Sequence, residues 1–378
     1  MKIAIINYTS GGMSGGYQKY LKNVLPGIAN NPEISSILCV VPQGLNTQAI
    51  AQDHPKISYK TFQPKKINFN KAILHNDLNQ FQPDVIFLPV ERYIHYKQVP
   101  VVNMLQNMEP HVPIIKNNPL VEKLRLIIQR IVSIKALKQS NHIIAISGAV
   151  YKYLTNNLNI VNNKISLIYH GINNPICELL NKPEQIPESW RGKFLFTAGS
   201  IRPARGLEDL LNSIELIPES QVKGVIIAGD STSSMIRYKE HLKKRIKMKR
   251  IESRVLWTGN LSENELHWCY SNCFAFVMTS RVESFGMIAG EAMASGCVCI
   301  SANNSCLPEI FGNCALYYTP AHVSKLTDAI MKCVHMNKCE SKKRSQWAKQ
   351  RASIFSWNVC VEKLVKTLTK QANSKVII

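Results

Sequence analysis

Residues 280–296, SRVESFGMIAGEAMASG, join an apolar run to a predicted helix built largely from small side chains. The run that leads into them, CFAFVMTS at residues 273–280, has the composition of a buried strand. Two carboxylates, Glu283 and Glu291, lie in this stretch with seven residues between them, and neither has a basic residue directly beside it. The fold and the function therefore depend on what these two side chains face.

The predicted helix would begin near Phe285 or Gly286, with free backbone N–H groups and the positive end of its dipole at the preceding loop. Glu283 then lies in the loop, and Glu291 lies between one and two turns inside the helix. Carboxylates accept hydrogen bonds from vicinal hydroxyl groups, so a ribose or a hexose is a suitable ligand. The alternative is a capping carboxylate followed by an exposed helical glutamate, with no ligand.

Strand-like apolar runs alternate with amphipathic helical stretches along the whole chain, which is the pattern of an α/β protein with parallel sheets. In the first half the predicted strands are KIAIIN, SSILCVV, DVIFLPV, PVVNML, HIIAIS and ISLIY. In the second half they are KFLFTAG, GVIIAGD, RVLWTG, AFVMTS, CVCISA and ALYYT. Each half is thus predicted to form a doubly wound, Rossmann-like unit.

A chain of 378 residues is too long for one ordinary core and suits two domains. We predict an N-terminal domain over residues 1–169, a Pro-, Asn- and Gly-rich linker over 170–192 and a C-terminal domain over 193–355. Residues 356–378 are expected to form a helix that returns to the N-terminal domain. Two facing domains of this kind bring the carboxyl ends of both sheets to one interdomain cleft, where ligands of the fold class bind.

A glycine-rich stretch, YTSGGMSGGYQKYL at residues 8–21, follows the first strand and runs into a helix. It lacks the GxGxxG spacing of a dinucleotide fingerprint. Its four glycines would still let backbone N–H groups approach a phosphate or a sugar, and the alternative is a flexible turn. They are Gly11, Gly12, Gly15 and Gly16.

Two further loops follow strands and carry polar side chains. In TAGSIRPARGLEDLL, residues 197–211, Arg202 and Arg205 stand between a strand and a helix, where two guanidinium groups suit a diphosphate. The alternative is a solvated loop that pairs with the acids of its own helix. In PVVNMLQNMEPHVP, residues 100–113, a strand ends in a polar loop that can touch a substrate. The polar residues of that loop are Gln106, Asn107, Glu109 and His111.

The net charge of +21 is shared by both halves of the chain and indicates an anionic partner, such as phosphate, an acidic membrane surface or nucleic acid. No apolar run approaches the ~18 residues that span a bilayer, and the amino terminus, MKIAIINYTSGG, is predicted to be a strand and not a secretory signal. We therefore expect a cytoplasmic protein. The eleven cysteines form no CxxC pair and no zinc-site spacing, so we expect buried thiols and no metal.

Basic residues are combined with an apolar helical pattern in residues 116–138, KNNPLVEKLRLIIQRIVSIKALK. Such a helix could lie on the anionic inner face of the cytoplasmic membrane, with the protein peripheral there. The alternative is a helix packed on the sheet with a solvated basic side. The apolar residues at helical spacing are Leu120, Leu124, Ile127, Ile131 and Ile134, and the basic ones are Lys116, Lys123, Arg130, Lys135 and Lys138.

Taken together, these stretches resemble the retaining, nucleotide-sugar-dependent glycosyltransferases of group 1, also called family four, which have the GT-B fold. The likeness covers nearly the whole chain, and the two glutamates separated by seven residues are its most specific item. It also includes IIAISGAVYKYL, KISLIYHGIN, TAGSIRPARGLEDLL, GVIIAGD, RVLWTGNLSENEL, SRVESFGMIAGEAMASGCVCISANNSCLPEI and FSWNVCVEKLVKTL.

The resemblance implies a role for each matching position. Glu291 would bind the donor ribose, and Glu283 would hold the transferred sugar by position and charge, not as a covalent nucleophile. Arg205 would neutralise the diphosphate leaving group without a metal or other cofactor. The remaining donor-binding positions would be Gly15, Gly16, Ser200, Arg202, Ser284, Phe285, Gly286 and Met287, and the candidate acceptor or donor-sugar loop would hold Gln106, Asn107 and Glu109.

Two positions depart from the family pattern. Many relatives have a histidine in the loop after the PVV strand, where this chain has Gln106, and His170–Gly171 stands where Asn-Gly usually begins the linker. The resemblance implies transfer of a sugar from a nucleotide sugar to a glycan or lipid-linked acceptor, as in cell-surface polysaccharide or lipopolysaccharide synthesis. No nucleic-acid partner is then expected.

Other activities also fit parts of the sequence. A sugar-nucleotide epimerase or a glycogen-type phosphorylase would share the fold, although the phosphorylase needs a longer chain with a pyridoxal-binding lysine. From another class, a basic protein that binds anionic surfaces or nucleic acid, on a catalytically degenerate scaffold, is suggested by the net charge.

Overall fold

The computed structural model describes residues 1–9, 15–43, 50, 54–62, 67–113, 115, 117–175 and 180–374. They divide into two compact units, each built on one sheet. The first unit contains residues 1–107, 128–171 and 356–378, and the second contains 108–127 and 172–355.

The first unit has a seven-stranded parallel sheet with the strand order β3-β2-β1-β4-β5-β6-β7. Its central strands are buried along almost their whole length, as expected for a parallel sheet that is covered on both faces. The strands are β1 (Lys2–Ile6), β2 (Ser36–Pro42), β3 (Ile57–Phe62), β4 (Val85–Leu88), β5 (Val101–Leu105), β6 (His142–Ala145) and β7 (Ile165–Leu167). The helices in this half of the chain are α1 (Gly15–Asn30), α2 (Ile67–Phe81), α3 (Leu120–Gln139) and α4 (Gly148–Asn156).

The second unit has a six-stranded parallel sheet with the order β10-β9-β8-β11-β12-β13. Its strands are β8 (Phe194–Ala198), β9 (Gly224–Ala228), β10 (Val255–Gly259), β11 (Ala275–Met278), β12 (Cys299–Ala302) and β13 (Ala315–Tyr318). The helices that follow in the chain are α5 (Leu207–Leu216), α6 (Ile236–Met248), α7 (Glu263–Asn272), α8 (Met287–Ala294), α9 (Leu307–Phe311), α10 (Val323–Val334), α11 (Lys338–Ala352) and α12 (Trp357–Asn373).

The two Rossmann-like sheets confirm the predicted α/β class, and all twelve predicted strands are present. The last helix, α12, packs on α1 of the first unit, where Gly27 leaves room for Val361. Of the cysteines in the described residues, ten are free thiols and eight of these are buried. The described part of the chain contains no helix that is long and apolar enough to cross a membrane.

Helix α3 turns its most apolar side to solvent. Leu120, Leu124, Ile127 and Ile131 are exposed, whereas Ile134 is half-buried. The alternative in which this stripe packs on the sheet is therefore wrong. The physical reason is that a different set of side chains fills the packing side of the helix. That set is Glu122, Leu126, Ser133, Ala136 and Leu137.

Candidate donor site in the second unit

Two loops meet where the strand order of the second sheet reverses. Strand β8 pairs with both β9 and β11. Strands β9 and β10 are added on one side of β8, and β11, β12 and β13 are added on its other side. The loop 199–206 follows β8, and the loop 279–286 follows β11. Ligands of doubly wound sheets bind at the carboxyl ends of the strands at such a switch point. The sequence places Arg202 and Arg205 in the first loop and Glu283 in the second.

The two loops are tied to each other through backbone groups. The hydroxyl of Thr279 donates to the carbonyl oxygen of Arg205 at 2.6 Å, and the N–H of Arg281 donates to the carbonyl oxygen of Ala204 at 2.7 Å. Gly206 is required here because its φ is +60° and a Cβ atom would lie 2.4 Å from the Thr279 carbonyl oxygen. The close approach of the loops is therefore built into the sequence.

Arg205 and Glu283 form an ion pair at the centre of these loops. Arg205 Nη1 donates to Glu283 Oε1 and lies 3.2 Å from the hydroxyl oxygen of Ser280. That hydroxyl also donates to Glu283 Oε1 at 3.0 Å. The two residues singled out for catalysis are thus brought together, and each side chain is only partly exposed. A ligand at this point meets one guanidinium and one carboxylate held in fixed positions.

Helix α8 begins directly after the loop, as its small residues predict. Gly286 has φ +86° at the N-cap, and Ser284 and Phe285 before it are buried. Phe285 packs edge-to-face on Phe355 with 5.4 Å between the ring centroids, which fixes the entry to the helix. The amino end of α8 therefore offers backbone N–H groups and a positive dipole end beside Arg205 and Glu283. Met287, its first residue, is half-buried.

The small residues of α8 allow the close packing that the sequence predicts. A Cβ atom on Gly290 would lie 2.0 Å from Ile172 Cδ1, so this position has room only for glycine in the present packing. Ala289 and Ala292 are also fully buried. Glu291, the residue after Gly290, is half-buried and accepts a hydrogen bond from the Tyr270 hydroxyl at 3.2 Å. Burial, followed by the charge of Glu291, raises the pKa of Tyr270, so its hydroxyl stays a donor.

A buried ion pair holds the two loops in place and was not predicted from the sequence. Arg281 donates to both oxygens of Asp209, Nη1 to Oδ2 at 2.7 Å and Nη2 to Oδ1 at 2.6 Å. Asp209 Oδ2 also accepts from the Tyr318 hydroxyl at 3.1 Å and from the Ala321 N–H at 2.9 Å. The pair connects the first turn of α5 to the loop after β11. The sequence indicates this ion pair only through an arginine two residues before Glu283.

Arg202 has carboxylate partners from a segment that follows β5 in the chain. Its Nη2 lies 2.5 Å from Glu109 Oε2 and 3.6 Å from Glu122 Oε1. Glu122 is bound in turn by both Nε and Nη2 of Arg125. The neighbouring Met108 N–H donates to the Ser284 hydroxyl oxygen at 2.9 Å. The structure thus brings Glu109 to the loop 199–206 of the second unit, although the sequence groups it with Gln106 and Asn107.

Gln106 and Asn107 lie in the first unit, at the end of β5. The carboxylate of Glu91 accepts a hydrogen bond from the backbone N–H of each, at 2.5 Å for Gln106 and 2.8 Å for Asn107. Burial raises the pKa of Glu91, and these backbone hydrogen bonds oppose the rise. The Gln106 side chain lies within 3.2 Å of the Met104 sulfur. Glu91 therefore holds this loop and is a second residue that sequence analysis missed.

The remaining predicted residues are placed as follows. Gly15 and Gly16 are the exposed first residues of α1, whereas Gly11 and Gly12 lie outside the described residues. Ser200 is exposed in the loop after β8. Among the described residues no cluster of His, Cys, Asp and Glu has the arrangement of a metal site.

Comparison with solved structures identifies the class of fold. A crystal structure of Anabaena Alr3699/HepE in complex with UDP and glucose matches 98% of this chain and 100% of that one, with a TM-score of 0.76 and 17% identity. WaaG, a glycosyltransferase involved in lipopolysaccharide biosynthesis, matches 97% of this chain and 99% of its own with a TM-score of 0.70 and 13% identity. At these identities the likeness establishes the fold alone, which is the GT-B fold of two Rossmann-like sheets.

The sequence comparisons match the second half of the chain to one family. Residues 181–353 match the model of glycosyl transferases group 1. Two relatives are the O-antigen chain mannosyltransferase RfbU of Salmonella typhimurium, 24% identical over 185 residues, and the lipopolysaccharide core biosynthesis mannosyltransferase LpsB of Rhizobium meliloti, 27% identical over 179 residues. These matches cover 49% and 46% of this chain and 48% of each relative. Residues 181–353 are thus similar to the group 1 glycosyl transferases, and the chain spans about half the length of the curated relatives that it matches.

Proposed function

We propose that the protein transfers a sugar, with retention of anomeric configuration, from a nucleoside diphosphate sugar to a glycan or lipid-linked acceptor. The observation that carries the proposal is the Arg205–Glu283 pair at the switch point of the second sheet, beside the amino terminus of α8. The matched family domain includes both residues. The named functions of the relatives, O-antigen and lipopolysaccharide core synthesis, support a cell-surface glycan as product.

The proposed chemistry follows from the charges at this point. As the bond between sugar and phosphate breaks, negative charge grows on the diphosphate and positive charge on the anomeric carbon. Arg205 and the free N–H groups of α8 stabilise the diphosphate, while the Glu283 carboxylate lies beside the sugar and stabilises its positive charge. We assign no metal to the reaction because a guanidinium and a helix end supply the positive charge on their own. The attacking hydroxyl approaches the face that the diphosphate leaves, and a diphosphate oxygen accepts its proton.

Glu291 has a separate role in this proposal. Its carboxylate, oriented by the Tyr270 hydroxyl, accepts hydrogen bonds from the ribose hydroxyl groups. It lies one to two turns into α8, whereas Glu283 lies before the helix, so the two carboxylates address different parts of one donor. Gly15, Gly16, Ser200, Arg202, Ser284 and Met287 complete the proposed donor contacts. Gln106 and Asn107, in the first unit, are proposed to contact the acceptor or the donor sugar.

The exposed side of α3 supports a peripheral membrane contact. Seven large apolar side chains of this helix are between 40% and 76% exposed. A contiguous apolar stripe of this size on a soluble surface marks an interaction site. They are Leu120, Val121, Leu124, Ile127, Ile128, Ile131 and Val132.

The charges around the stripe favour an anionic lipid surface as the partner. Arg130, Lys135 and Lys138 are exposed on the same helix, and Lys123 is half-exposed. At about 100° per residue, Lys135 and Lys138 continue the stripe towards the carboxyl end of the helix, while Lys123 and Arg130 flank it. An amphipathic helix with basic residues at its margin binds acidic headgroups while its apolar side enters the interface. A lipid-linked acceptor would be reached at such a surface.

Calorimetric titration tests the donor site directly. Wild type, Arg205→Ala, Glu291→Ala and the surface control Arg191→Ala are each titrated with UDP, GDP and ADP sugars, and with a CMP sugar as the monophosphate counterpart. We expect the sugars of one nucleotide base to bind. Arg205→Ala should weaken binding of the diphosphate donor about tenfold to a hundredfold, through loss of a charged hydrogen bond. Glu291→Ala should weaken binding of the donor and binding of its free nucleoside to the same extent. Binding that survives both substitutions would refute the proposed site.

A further inference from the structure

The positive and negative side chains around Arg202 and Arg205 nearly cancel one another's charge. Arg202 pairs with Glu109, and Arg205 pairs with Glu283. The neighbouring Glu122–Arg125 pair adds no net charge. A dianionic diphosphate gains little from two guanidinium groups that carboxylates already neutralise. Binding at these arginines therefore requires one carboxylate to give way.

The two carboxylates on Arg202 are not equivalent. Glu122 is 1% exposed and receives two hydrogen bonds from Arg125, so it has a second cation and stays fixed. Glu109 contacts Arg202 at the shorter distance, 2.5 Å, from a short 3₁₀ helix, Glu109–His111. The Met108 N–H bond to Ser284 anchors the backbone of that segment, so the Glu109 side chain can change its partner without moving the chain.

Arg202 also has a donor that its two carboxylates do not use. Its Nε atom is buried and has no hydrogen-bond acceptor among the described residues. A guanidinium has five donors in a fixed fork that suits two phosphate oxygens. The geometry around Arg202 therefore fits an exchange of one carboxylate for a diphosphate.

We propose that the donor diphosphate displaces the Glu109 carboxylate from Arg202, and that Glu109 takes up one proton from solvent as it loses this partner. Glu109 is then a competitor of the donor in the donor-free protein, and Glu122 is a positioning residue that keeps Arg202 in place during the exchange. The inference rests on the proposed function, because it assumes that Arg202 contacts the donor diphosphate.

The surroundings of Glu109 favour protonation once Arg202 is taken. Burial raises the pKa of Glu109, the Arg202 guanidinium lowers it, Glu122 raises it, and Arg125 and Arg205 lower it. The buried His111 lies two residues further along the same short helix. When the diphosphate neutralises Arg202, the strongest influence that keeps Glu109 ionised is lost, and the pKa rises further. The sign follows: the bound state holds one more proton, so donor affinity increases as the pH falls.

The test is calorimetric titration of the full chain with the nucleotide sugar that binds wild type, between pH 6 and 8, in PIPES and in imidazole. Because these buffers differ in ionisation enthalpy, the difference between the two heats gives the number of protons taken up. We expect uptake approaching one proton and an affinity that rises up to about tenfold per pH unit lowered. Glu109→Gln should bind the donor more tightly than wild type above pH 7, without proton uptake.

A matched variant and a second background separate this effect from general electrostatics and from misfolding. Glu208→Gln removes one negative charge from the first turn of the adjacent helix, where Glu208 accepts from Asn117, and should leave the proton uptake unchanged. The gain from Glu109→Gln should disappear in an Arg202→Gln background. Weaker binding by a folded Glu109→Gln protein, or no proton uptake by wild type, would overturn the inference while leaving the donor site intact. Failure of wild type to bind any nucleotide sugar would refute the proposed function as well.

Discussion

Substitution of Asp209 by asparagine tests whether the donor loops are held by the buried pair with Arg281. The Asp209 side chain is 4% exposed and accepts four hydrogen bonds, two of them from the Arg281 guanidinium. Asparagine has nearly the same shape, but it carries no charge and its amide nitrogen cannot accept. The substitution therefore removes the ion-pair partner of the Arg281 guanidinium, which is 21% exposed.

The size of the effect follows from this geometry. Removing one partner of a buried ion pair costs about 3–5 kcal/mol. Asparagine keeps one accepting oxygen and Arg281 keeps some contact with water, so we expect the free energy of unfolding to fall by about 2–3 kcal/mol. For a unit of this size, that loss corresponds to a decrease in Tm of about 4–12 °C.

Thermal and urea unfolding, followed by circular dichroism, measure this loss. The control is Asp328→Asn, which removes the same charge from an exposed pair with Lys325 at 3.9 Å and should cost less than about 1 kcal/mol. Donor affinity should also fall in the Asp209→Asn protein, because the loops that carry Arg205 and Glu283 lose their connection. The reasoning would be refuted if the two variants had the same stability.

Three further predictions follow. Leu124→Glu should weaken binding to vesicles containing anionic lipid by about fivefold or more in a flotation assay, whereas Leu216→Glu, also at an exposed leucine, should have no effect. Gly206→Ala should lower the Tm more than Gly192→Ala: both have positive φ, but only the first brings a Cβ atom against a carbonyl oxygen, and equal losses would contradict this. Burial lowers the pKa of His142 to about 4, so the unfolded chain protonates this residue first as the pH falls below about 6.5, and this residue alone should make stability about 2 kcal/mol lower at pH 5 than at pH 7.5. In His142→Gln, urea unfolding at the two pH values should show a correspondingly smaller decrease.

The sequence predicts most of the sheet structure because buried parallel strands are continuous apolar runs. Strand β3, Ile57–Phe62, is the exception: it contains Ser58, Lys60 and Thr61, and its side chains are mostly not buried. As an edge strand it tolerates polar residues, so it lacks the pattern by which the others were found.

The positions of the loops 199–206 and 279–286 were predictable because each loop follows an apolar strand and carries unusual polar residues. What the sequence does not contain is the set of partners that come from distant positions. Glu122 lies 80 residues before Arg202, and Tyr270 approaches Glu291 from another helix. Glu122 also lies in a helix whose apolar pattern left two orientations open, with Leu120 and Leu124 either on a membrane surface or packed on the sheet. Such pairings depend on the tertiary fold and not on any local pattern.

The most direct test of the central claim is a crystal structure of the chain with the nucleoside diphosphate that its donor panel selects. We predict the diphosphate at hydrogen-bond distance from Arg205 and from the first N–H groups of α8, with the ribose hydroxyl groups on Glu291. Glu109 should have left Arg202 in the same structure. A nucleotide bound elsewhere, with the Arg205–Glu283 pair unchanged and no contact to Glu291, would contradict the account.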